Sequence, residues 1–274
     1  MNNTYQVYLI SDSTGETLDR IFLALKAQFN NFNYKSNQYS FTRTENQILK
    51  ILKNCKKKKN LIILYTIVDV KLARYLSKKT EELNIPCFSV LGDLILRFSN
   101  LLHQEASHLP SGQHVLDEDY YKRIEAIQFT MNHDDGKKFQ DIEKSDIVLL
   151  GVSRTSKTPT SIYLANRGFK TSNIPIVSKE SITEELTTKI KKTCVVGLTT
   201  EPDRLMDIRK NRLSLIKEKK TNTYLDLEEI KKELEFSKIL FKKNNWPTID
   251  VTRKSVEETA ASVIKIYDIL KKND

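Results

Sequence analysis

One stretch of this 274-residue chain carries residues suited to binding phosphate. It matches the pattern G-x-x-x-x-G-K-[ST] from Gly151 to Thr158, except that Ser156 replaces the second glycine. In such a loop, backbone N–H groups and a helix start surround phosphate oxygens, the lysine reaches the terminal phosphates, and the hydroxyl ligates Mg²⁺. We therefore predict a candidate phosphate loop with Thr158 as metal ligand, formed by Gly151, Val152, Ser153, Arg154, Thr155, Ser156, Lys157 and Thr158.

The serine at position 156 is the one departure from this pattern. Glycine lets the backbone approach a phosphate closely and tolerates a positive φ, which serine adopts less readily. A serine can still serve at this position if its φ is negative, and its hydroxyl adds one donor. The alternative is an ordinary strand-to-helix turn capped by a threonine, but the apolar strand before the loop and the amphipathic helix after it favour phosphate binding.

Apolar periodicity alternates between strand-like and helix-like segments along the chain, and no internal repeat is visible. The predicted strands cover 5–10, 39–42, 61–68, 86–90, 146–150, 174–177, 194–198 and 248–251. A helix with Leu18, Ile21, Phe22 and Leu25 on one face follows the first strand, and further helices cover 45–52, 71–83, 117–130, 157–167, 202–219, 226–243 and 256–270. This alternation predicts an α/β protein with parallel sheets covered by helices on both faces.

The alternation of strand-like and helix-like segments is interrupted between residues 100 and 145. We predict an N-terminal α/β domain at 1–100, a connector with an active-site loop at 101–145, and a P-loop kinase-like domain at 146–274. Three histidines fall in the connector without the tight spacing of a metal site, so we expect no zinc there; they are His103, His108 and His114.

Composition excludes several classes of protein. The longest apolar run, 61–68, is too short for a membrane span, and no secretory signal is visible at the N-terminus. Three cysteines without a C-x-x-C pair argue against a disulfide framework and fit a reducing, cytoplasmic setting. The net charge of +10 comes mostly from lysines scattered over predicted helices. A run of lysines at 56–59 lies at a predicted helix end, so we expect neither a nucleic-acid nor a membrane partner.

Several blocks of residues occur in an order that is characteristic of one family. These are 10–17 (ISDSTGET), 123–130 (RIEAIQFT), 133–136 (HDDG), 151–161 (GVSRTSKTPTS), 202–205 (PDRL) with 208–209 (IR), and 255–258 (SVEE). The chain resembles the regulatory proteins of pyruvate, phosphate dikinase and phosphoenolpyruvate synthase over nearly its whole length. It departs at Glu201-Pro202-Asp203, where the family usually has Asp-Pro-Glu, so the carboxylate positions there differ.

The resemblance implies a bifunctional serine/threonine kinase and phosphorylase. The kinase would use ADP to phosphorylate a threonine beside the catalytic histidine of its target and so inactivate it; the Mg²⁺ that we expect as cofactor follows from the loop pattern at Thr158. The phosphorylase would use inorganic phosphate to remove that group and release pyrophosphate. The form of the loop with Ser156 favours pyruvate, phosphate dikinase as the target over phosphoenolpyruvate synthase, and the family suggests a homodimer.

Two other functions are compatible with the residues alone. One is a small-molecule P-loop kinase that uses ATP, although the first half lacks the compact lid that such a kinase needs. The other is a non-catalytic basic protein that binds nucleic acid, although no recognised nucleic-acid motif is present.

Phosphoryl transfer needs positioning, charge neutralisation and a base near the attacking hydroxyl. We expect Lys157 to neutralise phosphate charge, and the pair Asp134 and Asp135 to divide the remaining work, with one carboxylate on the metal and one on the target hydroxyl. On the residues alone, an exposed turn at a helix end is the favoured interpretation of the two aspartates; the resemblance favours the catalytic one.

Further candidates form a second tier. His133 orients the aspartate pair or lies on the surface. Arg204 and Arg209, with Arg212, lie within an arc of roughly 140° on one predicted helix and share a face, where they contact phosphate or solvent. Ser13, Thr14 and Gly15 follow the first strand, where they start a helix that binds an anion or is merely capped.

Overall fold

A computed structural model describes residues 4–55, 58, 60–112, 118–136, 139–177, 182–216 and 222–273. The chain divides into two compact units, residues 1–115 and 116–274. Residues 101–115 belong to the first unit and residues 116–145 to the second, so the stretch predicted as a connector is divided between them. Both units are α/β, as predicted from the alternation of strands and helices.

The first unit is a four-stranded parallel sheet with the strand order β2-β1-β3-β4. Its elements are β1 (Tyr5–Ser11), α1 (Glu16–Lys26), β2 (Tyr34–Tyr39), α2 (Glu45–Cys55), β3 (Leu61–Thr66), α3 (Val70–Glu82), β4 (Cys87–Ser89) and α4 (Gly92–Leu102). Apolar side chains of β1 and β3 are buried on both faces of the sheet, which is typical of parallel strands covered by helices.

The second unit has the strand order β6-β5-β7-β8, and all its strands are parallel. Helix α5 (Glu118–Asn132), a tight turn at Asp134–Gly136 and a 3-10 segment at Phe139–Lys144 precede the sheet. The remaining elements are β5 (Ile147–Gly151), α6 (Lys157–Ala165), β6 (Thr171–Pro175), α7 (Glu184–Lys189), β7 (Cys194–Thr199), α8 (Pro202–Ile216), α9 (Leu227–Lys243), β8 (Thr248–Asp250) and α10 (Val256–Asn273).

The two units therefore repeat one strand order, although the sequence shows no repeat. In each unit the first strand lies between the second and the third. The helix after the first strand and the helix after the second strand therefore lie on opposite faces of the sheet. At such a switch point a crevice opens beyond the carboxyl ends of the strands, and ligands of open α/β sheets bind there. In the second unit the candidate phosphate loop begins at this point, at the end of β5.

Several elements differ from the prediction. The second strand is Tyr34–Tyr39 rather than 39–42, because it is a partly exposed edge strand with little apolar patterning, and the chain turns at Phe41 with a φ of +53°. The sequence analysis predicted no element at helix α4 or at helix α7. Helix α7 has a capping residue, Thr183, whose side chain accepts a hydrogen bond from Leu186 N. Leu25, expected on the packed face of α1, is exposed. Within the described residues, no helix combines the length and hydropathy that crossing a bilayer requires.

Candidate active site

The candidate phosphate loop follows a fully buried strand and leads directly into α6. Every residue of β5 is buried between its two neighbours. A Cβ added to Gly151 would lie 2.6 Å from the carbonyl oxygen of Leu198 on β7 and 2.7 Å from Thr155 Oγ1. Only glycine fits this position, because backbone from the neighbouring strand occupies the space of a side chain.

Ser156 adopts the left-handed conformation, with φ +58° and ψ 20°, so the negative φ under which a serine was expected to serve here is not found. Arg154 also has a positive φ, of +76°. The backbone must turn sharply between β5 and α6, and left-handed residues produce that turn, as the glycine of the usual pattern would. Ser156 makes no side-chain capping bond, and the Thr155 hydroxyl donates to Val152 O at 2.9 Å. The helix therefore begins without the threonine cap of the alternative interpretation.

Lys157 is only 5% exposed and lies inside the loop. Its Nζ donates a hydrogen bond to Val152 O at 2.9 Å. Burial lowers the pKa of Lys157 to about 8, while the carboxylates of Asp135 and Asp134 act in the opposite direction. The amine is therefore close to both aspartates that were predicted to act with it.

Asp134 contacts the candidate phosphate loop through a small polar network. Thr158 Oγ1 donates to Asp134 Oδ1 at 3.1 Å. Asn173 Nδ2 donates to the same carboxylate oxygen at 2.5 Å and to Thr158 Oγ1 at 2.9 Å. The structure thus brings Asp134 and Thr158 together, and it adds Asn173, which the sequence analysis missed. The available signal was the run of three polar residues at 171–173, directly before the predicted strand 174–177; the structure places them inside the strand, where they are buried.

Asp135 and His133 occupy the same turn but differ in exposure. Asp135 is exposed and left-handed, with φ +53°, so its carboxylate is accessible beside the loop. His133 is 5% exposed, so the interpretation as a surface histidine is wrong. Its ring stacks on Phe129 at 3.9 Å between centroids, and its Nδ1 lies 2.8 Å from Phe129 O. This contact ties the turn to the end of α5, consistent with an orienting role for the histidine.

The arginines of α8 do not share a face, so that prediction is wrong. Arg209 is 1% exposed, whereas Arg204 and Arg212 are exposed. Arg209 Nη2 pairs with Glu233 Oε2 at 2.6 Å, and the guanidinium lies 4.5 Å from the ring centre of Tyr224. The same Nη2 lies 3.5 Å from Ser153 O. Arg209 therefore braces the candidate phosphate loop against α8 and α9, and Glu233 is a second residue that the sequence analysis missed.

Ser13, Thr14 and Gly15 belong to the first unit, where they line a cavity of about 280 Å³ at the end of β1. Gly15 precedes α1 with φ +87°, as Ser156 precedes α6. The first helical residue is Glu16 in α1 but Lys157 in α6, so the charge at the helix start is reversed. The cavity also contains the buried Asp12, which accepts a hydrogen bond from Val68 N at 2.7 Å and whose pKa is raised by burial.

The oxygen atoms of Asp134 and Thr158 fit Mg²⁺. A carboxylate and a hydroxyl are hard ligands of the kind this ion prefers, and Mg²⁺ in phosphate sites is usually held by few protein groups together with water and phosphate oxygens. Asn173 Oδ1, beside both, is buried without a hydrogen-bond partner among the described residues. Those residues contain no group of three or more His, Cys, Asp or Glu arranged for a metal ion.

Comparison with known proteins shows the class to which this fold and site belong. The sequence profile of the kinase/pyrophosphorylase family matches residues 7–264. The chain therefore belongs to the kinase/pyrophosphorylase family, which makes it an enzyme of the phosphotransferase class and confirms the family resemblance seen in the sequence.

Two relatives carry the provisional name pyruvate, phosphate dikinase regulatory protein. The chain is 65% identical over 273 residues to the protein of Pelagibacter ubique (strain HTCC1062), with 100% of both chains covered. It is 46% identical over 262 residues to the protein of Sphingopyxis alaskensis (strain DSM 13593 / LMG 18877 / RB2256), with 96% of both chains covered. A solved glucose-galactose binding protein from Geobacillus stearothermophilus aligns with 99% of this chain and 93% of its own, at 13% identity and a TM-score of 0.25, which is too low to support an argument.

Proposed function

We propose that this protein is a bifunctional regulatory enzyme acting on pyruvate, phosphate dikinase. As a kinase it transfers the β-phosphate of ADP to a threonine of the dikinase and inactivates it. As a phosphorylase it uses inorganic phosphate to remove that group, releases pyrophosphate and restores activity. The family supports the two kinds of reaction, and the names of the relatives support the target.

The observation that carries this proposal is the convergence of Lys157, Thr158, Asp134 and Asp135 at the start of α6. All four are linked, by the hydrogen bond from Thr158 to Asp134 and by the electrostatic effect of both carboxylates on Lys157. A cation, an oxygen pair suited to Mg²⁺ and an exposed carboxylate are the groups that phosphoryl transfer requires. The reversed charge at Glu16 favours this loop over its counterpart in the first unit as the site of the diphosphate.

Each residue has a distinct part in the mechanism. Backbone N–H groups of the candidate phosphate loop and the start of α6 bind the diphosphate of ADP. Lys157 neutralises charge on the transferred phosphoryl group. Asp134 and Thr158 would hold Mg²⁺, which would neutralise further charge on the phosphate oxygens. Asp135, the exposed carboxylate, is the base.

The kinase reaction forms one phosphorus–oxygen bond, breaks another and moves one proton. The threonine oxygen of the target forms a bond to the β-phosphorus, its proton passes to Asp135, and the bond to the bridging oxygen breaks to release AMP. In the phosphorylase direction, an oxygen of inorganic phosphate attacks the phosphothreonine phosphorus and forms pyrophosphate. Asp135 takes the proton from the attacking phosphate hydroxyl and passes it to the departing threonine oxygen, so one site serves both reactions.

Purified protein incubated with pyruvate, phosphate dikinase and ADP labelled at the β-position tests the proposal. We expect label on a dikinase threonine, loss of dikinase activity, and release of labelled pyrophosphate when phosphate is added. The variant Lys157→Ala should lose transfer, whereas Lys265→Ala, an exposed lysine of α10, should match the wild type. Transfer only from ATP to small molecules would identify a small-molecule kinase instead, and label on phosphoenolpyruvate synthase alone would change the target.

A further inference from the structure

Asn173 connects three elements of the candidate active site. It lies in β6 and is 1% exposed. Its backbone N–H donates to His133 O at 3.1 Å. Its side-chain Nδ2 donates to Asp134 Oδ1 and to Thr158 Oγ1 at 2.5 and 2.9 Å. One residue thus contacts the turn that carries the aspartates and the first turn of α6.

These contacts are unusual for a strand of a parallel sheet. Buried positions of such strands are normally filled by Val, Ile or Leu, because both faces are covered by helices. A buried amide must find partners for its donors and acceptors, and Asn173 leaves Oδ1 without one among the described residues. An apolar residue would fill the same space without that unsatisfied atom, so packing alone does not explain the asparagine.

The hydrogen-bond donors of Asn173 explain why an asparagine occupies this buried position. Asp134 and Thr158 come from different elements, 24 residues apart in the chain, and both present oxygen atoms at the same point. An amide nitrogen that donates to both oxygens fixes the distance between them.

From these contacts we infer that Asn173 is a positioning residue. It holds the Asp134 carboxylate and the Thr158 hydroxyl at the spacing needed to bind Mg²⁺ together with ADP. This role rests on the proposed function of the site. On this assignment, the candidate phosphate loop binds the nucleotide itself. The network of Asn173, Asp134 and Thr158 accounts for the increase in nucleotide affinity that Mg²⁺ produces. The two effects can therefore be separated experimentally.

The test measures binding of a fluorescent ADP analogue with Mg²⁺ and with EDTA. In the wild type, Mg²⁺ should strengthen binding. Asn173→Leu keeps the size of the side chain and removes its donors; we expect binding in EDTA within about threefold of the wild type, and a loss of most of the strengthening by Mg²⁺. Asn166→Asp, an exposed change at the end of α6, is the matched control and should behave as the wild type.

The rate of phosphoryl transfer gives the second measurement. Asn173→Leu should lower kcat by at least about tenfold, with a much smaller change in KM for the dikinase, since Asn173 is only 1% exposed and an acceptor on the surface would not reach it. If leucine prevents folding, as judged by circular dichroism, Asn173→Ala is measured in the same way. Mg²⁺ that strengthens nucleotide binding equally in the wild type and the folded variant would overturn the inference, as would nucleotide binding without any Mg²⁺ effect in the wild type.

Failure of the proposed function would look different. In that case the wild type would show Mg²⁺-dependent binding of the ADP analogue that requires Asn173, yet no label would reach the dikinase. The positioning role would then stand, and the target or the direction of the chemistry would be wrong.

Discussion

A buried lysine beside two carboxylates controls the electrostatics of the candidate active site. Lys157 lies inside its own loop, where its Nζ donates to a backbone carbonyl oxygen. Burial lowers its pKa to about 8, which is close to the physiological range. An incoming diphosphate favours the charged amine, so nucleotide binding and protonation of Lys157 are coupled.

This coupling predicts how the affinity for ADP depends on pH. Below about pH 8 the amine is already charged in the free protein; above it, binding must take up a proton, so the affinity should fall by up to about tenfold per pH unit. Near pH 8, calorimetry in buffers of different ionisation enthalpy should show uptake of about half a proton on binding. Lys157→Met should bind more weakly and show neither the uptake nor the fall. A wild-type affinity that stays constant from pH 7 to 9.5 would contradict the assignment.

The two aspartates should separate into different roles when each is replaced by asparagine. Asp135→Asn removes the proposed base, so transfer to the dikinase should slow by at least about 100-fold while binding of ADP with Mg²⁺ persists. Asp134→Asn removes a negative oxygen suited to the metal, so the strengthening of ADP binding by Mg²⁺ should decrease. Steady-state rates and titrations with the fluorescent analogue measure both effects.

Asp268→Asn, an exposed change on α10, is the control for both substitutions. Equal loss of metal-dependent binding in the two aspartate variants would show that the carboxylates are not divided as proposed.

Only part of this site could be predicted from the sequence. Lys157 and Thr158 belong to a local pattern, so their spacing identified them without knowledge of the fold. Asn173 belongs to no such pattern, because its partners come from a turn and a helix that only the tertiary structure brings to β6. His133 was predicted either to orient the aspartates or to lie on the surface, since burial of a histidine depends on packing that a single sequence does not reveal.

At the scale of secondary structure, the turn from β5 to α6 depends on a left-handed serine. Ser156 adopts φ +58° where the usual pattern has glycine, and it receives no compensating capping bond. A residue with a Cβ in this conformation costs about 1 kcal/mol relative to glycine. The turn is therefore held by its surroundings, including the closely packed Gly151 and the hydrogen bond of Thr155.

Replacing Ser156 by glycine should therefore stabilise the second unit, with an increase of up to about 1 kcal/mol in its free energy of unfolding. Ser156→Val should decrease it by about 2 kcal/mol, since a β-branched residue tolerates a positive φ poorly. Urea denaturation followed by circular dichroism measures both changes.

The matched control is Ser262→Gly, in the middle of the right-handed helix α10. There glycine should decrease the free energy of unfolding by up to about 1 kcal/mol. A loss of stability at both serines would show that the left-handed conformation of Ser156 imposes no strain.

Elements with strong apolar patterns were predicted most accurately from the sequence. Strands β1, β3, β5 and β7 lie at the centres of their sheets, and their buried apolar runs identified them within one or two residues. The edge strand β2 has the sequence YKSNQY and was predicted to begin five residues too late, because an edge strand buries little and its pattern is weak. Helix α4 was missed because three consecutive apolar residues at 94–96 hide its helical period, and no residue of it is buried.

At the scale of the whole molecule, each unit contains its own hydrophobic core. In the first unit, Tyr8 of β1, Ile63 of β3 and Leu76 of α3 pack with apolar residues of α2. In the second unit, separate clusters form on the two faces of the sheet, one around Leu149 and one around Val148. Units with separate cores often lose structure independently, so one free energy of unfolding need not describe the whole chain.

Truncation of one core should therefore leave the other largely unaffected. Ile63→Ala and Leu149→Ala, both at fully buried positions, should each cost about 2–5 kcal/mol in the unit that carries them. Hydrogen exchange followed by mass spectrometry should show faster exchange in peptides of that unit alone. Faster exchange of both units in either variant would instead indicate one cooperative structure.

The shared strand order suggests how such a chain could arise. Tandem duplication of one ancestral gene segment, followed by divergence of its two copies, would leave the same topology twice with no detectable likeness in sequence. The opposite charges of Glu16 and Lys157 at corresponding helix starts would then record specialisation after the duplication. On this history, only the copy with the lysine kept a basic helix start suited to phosphate.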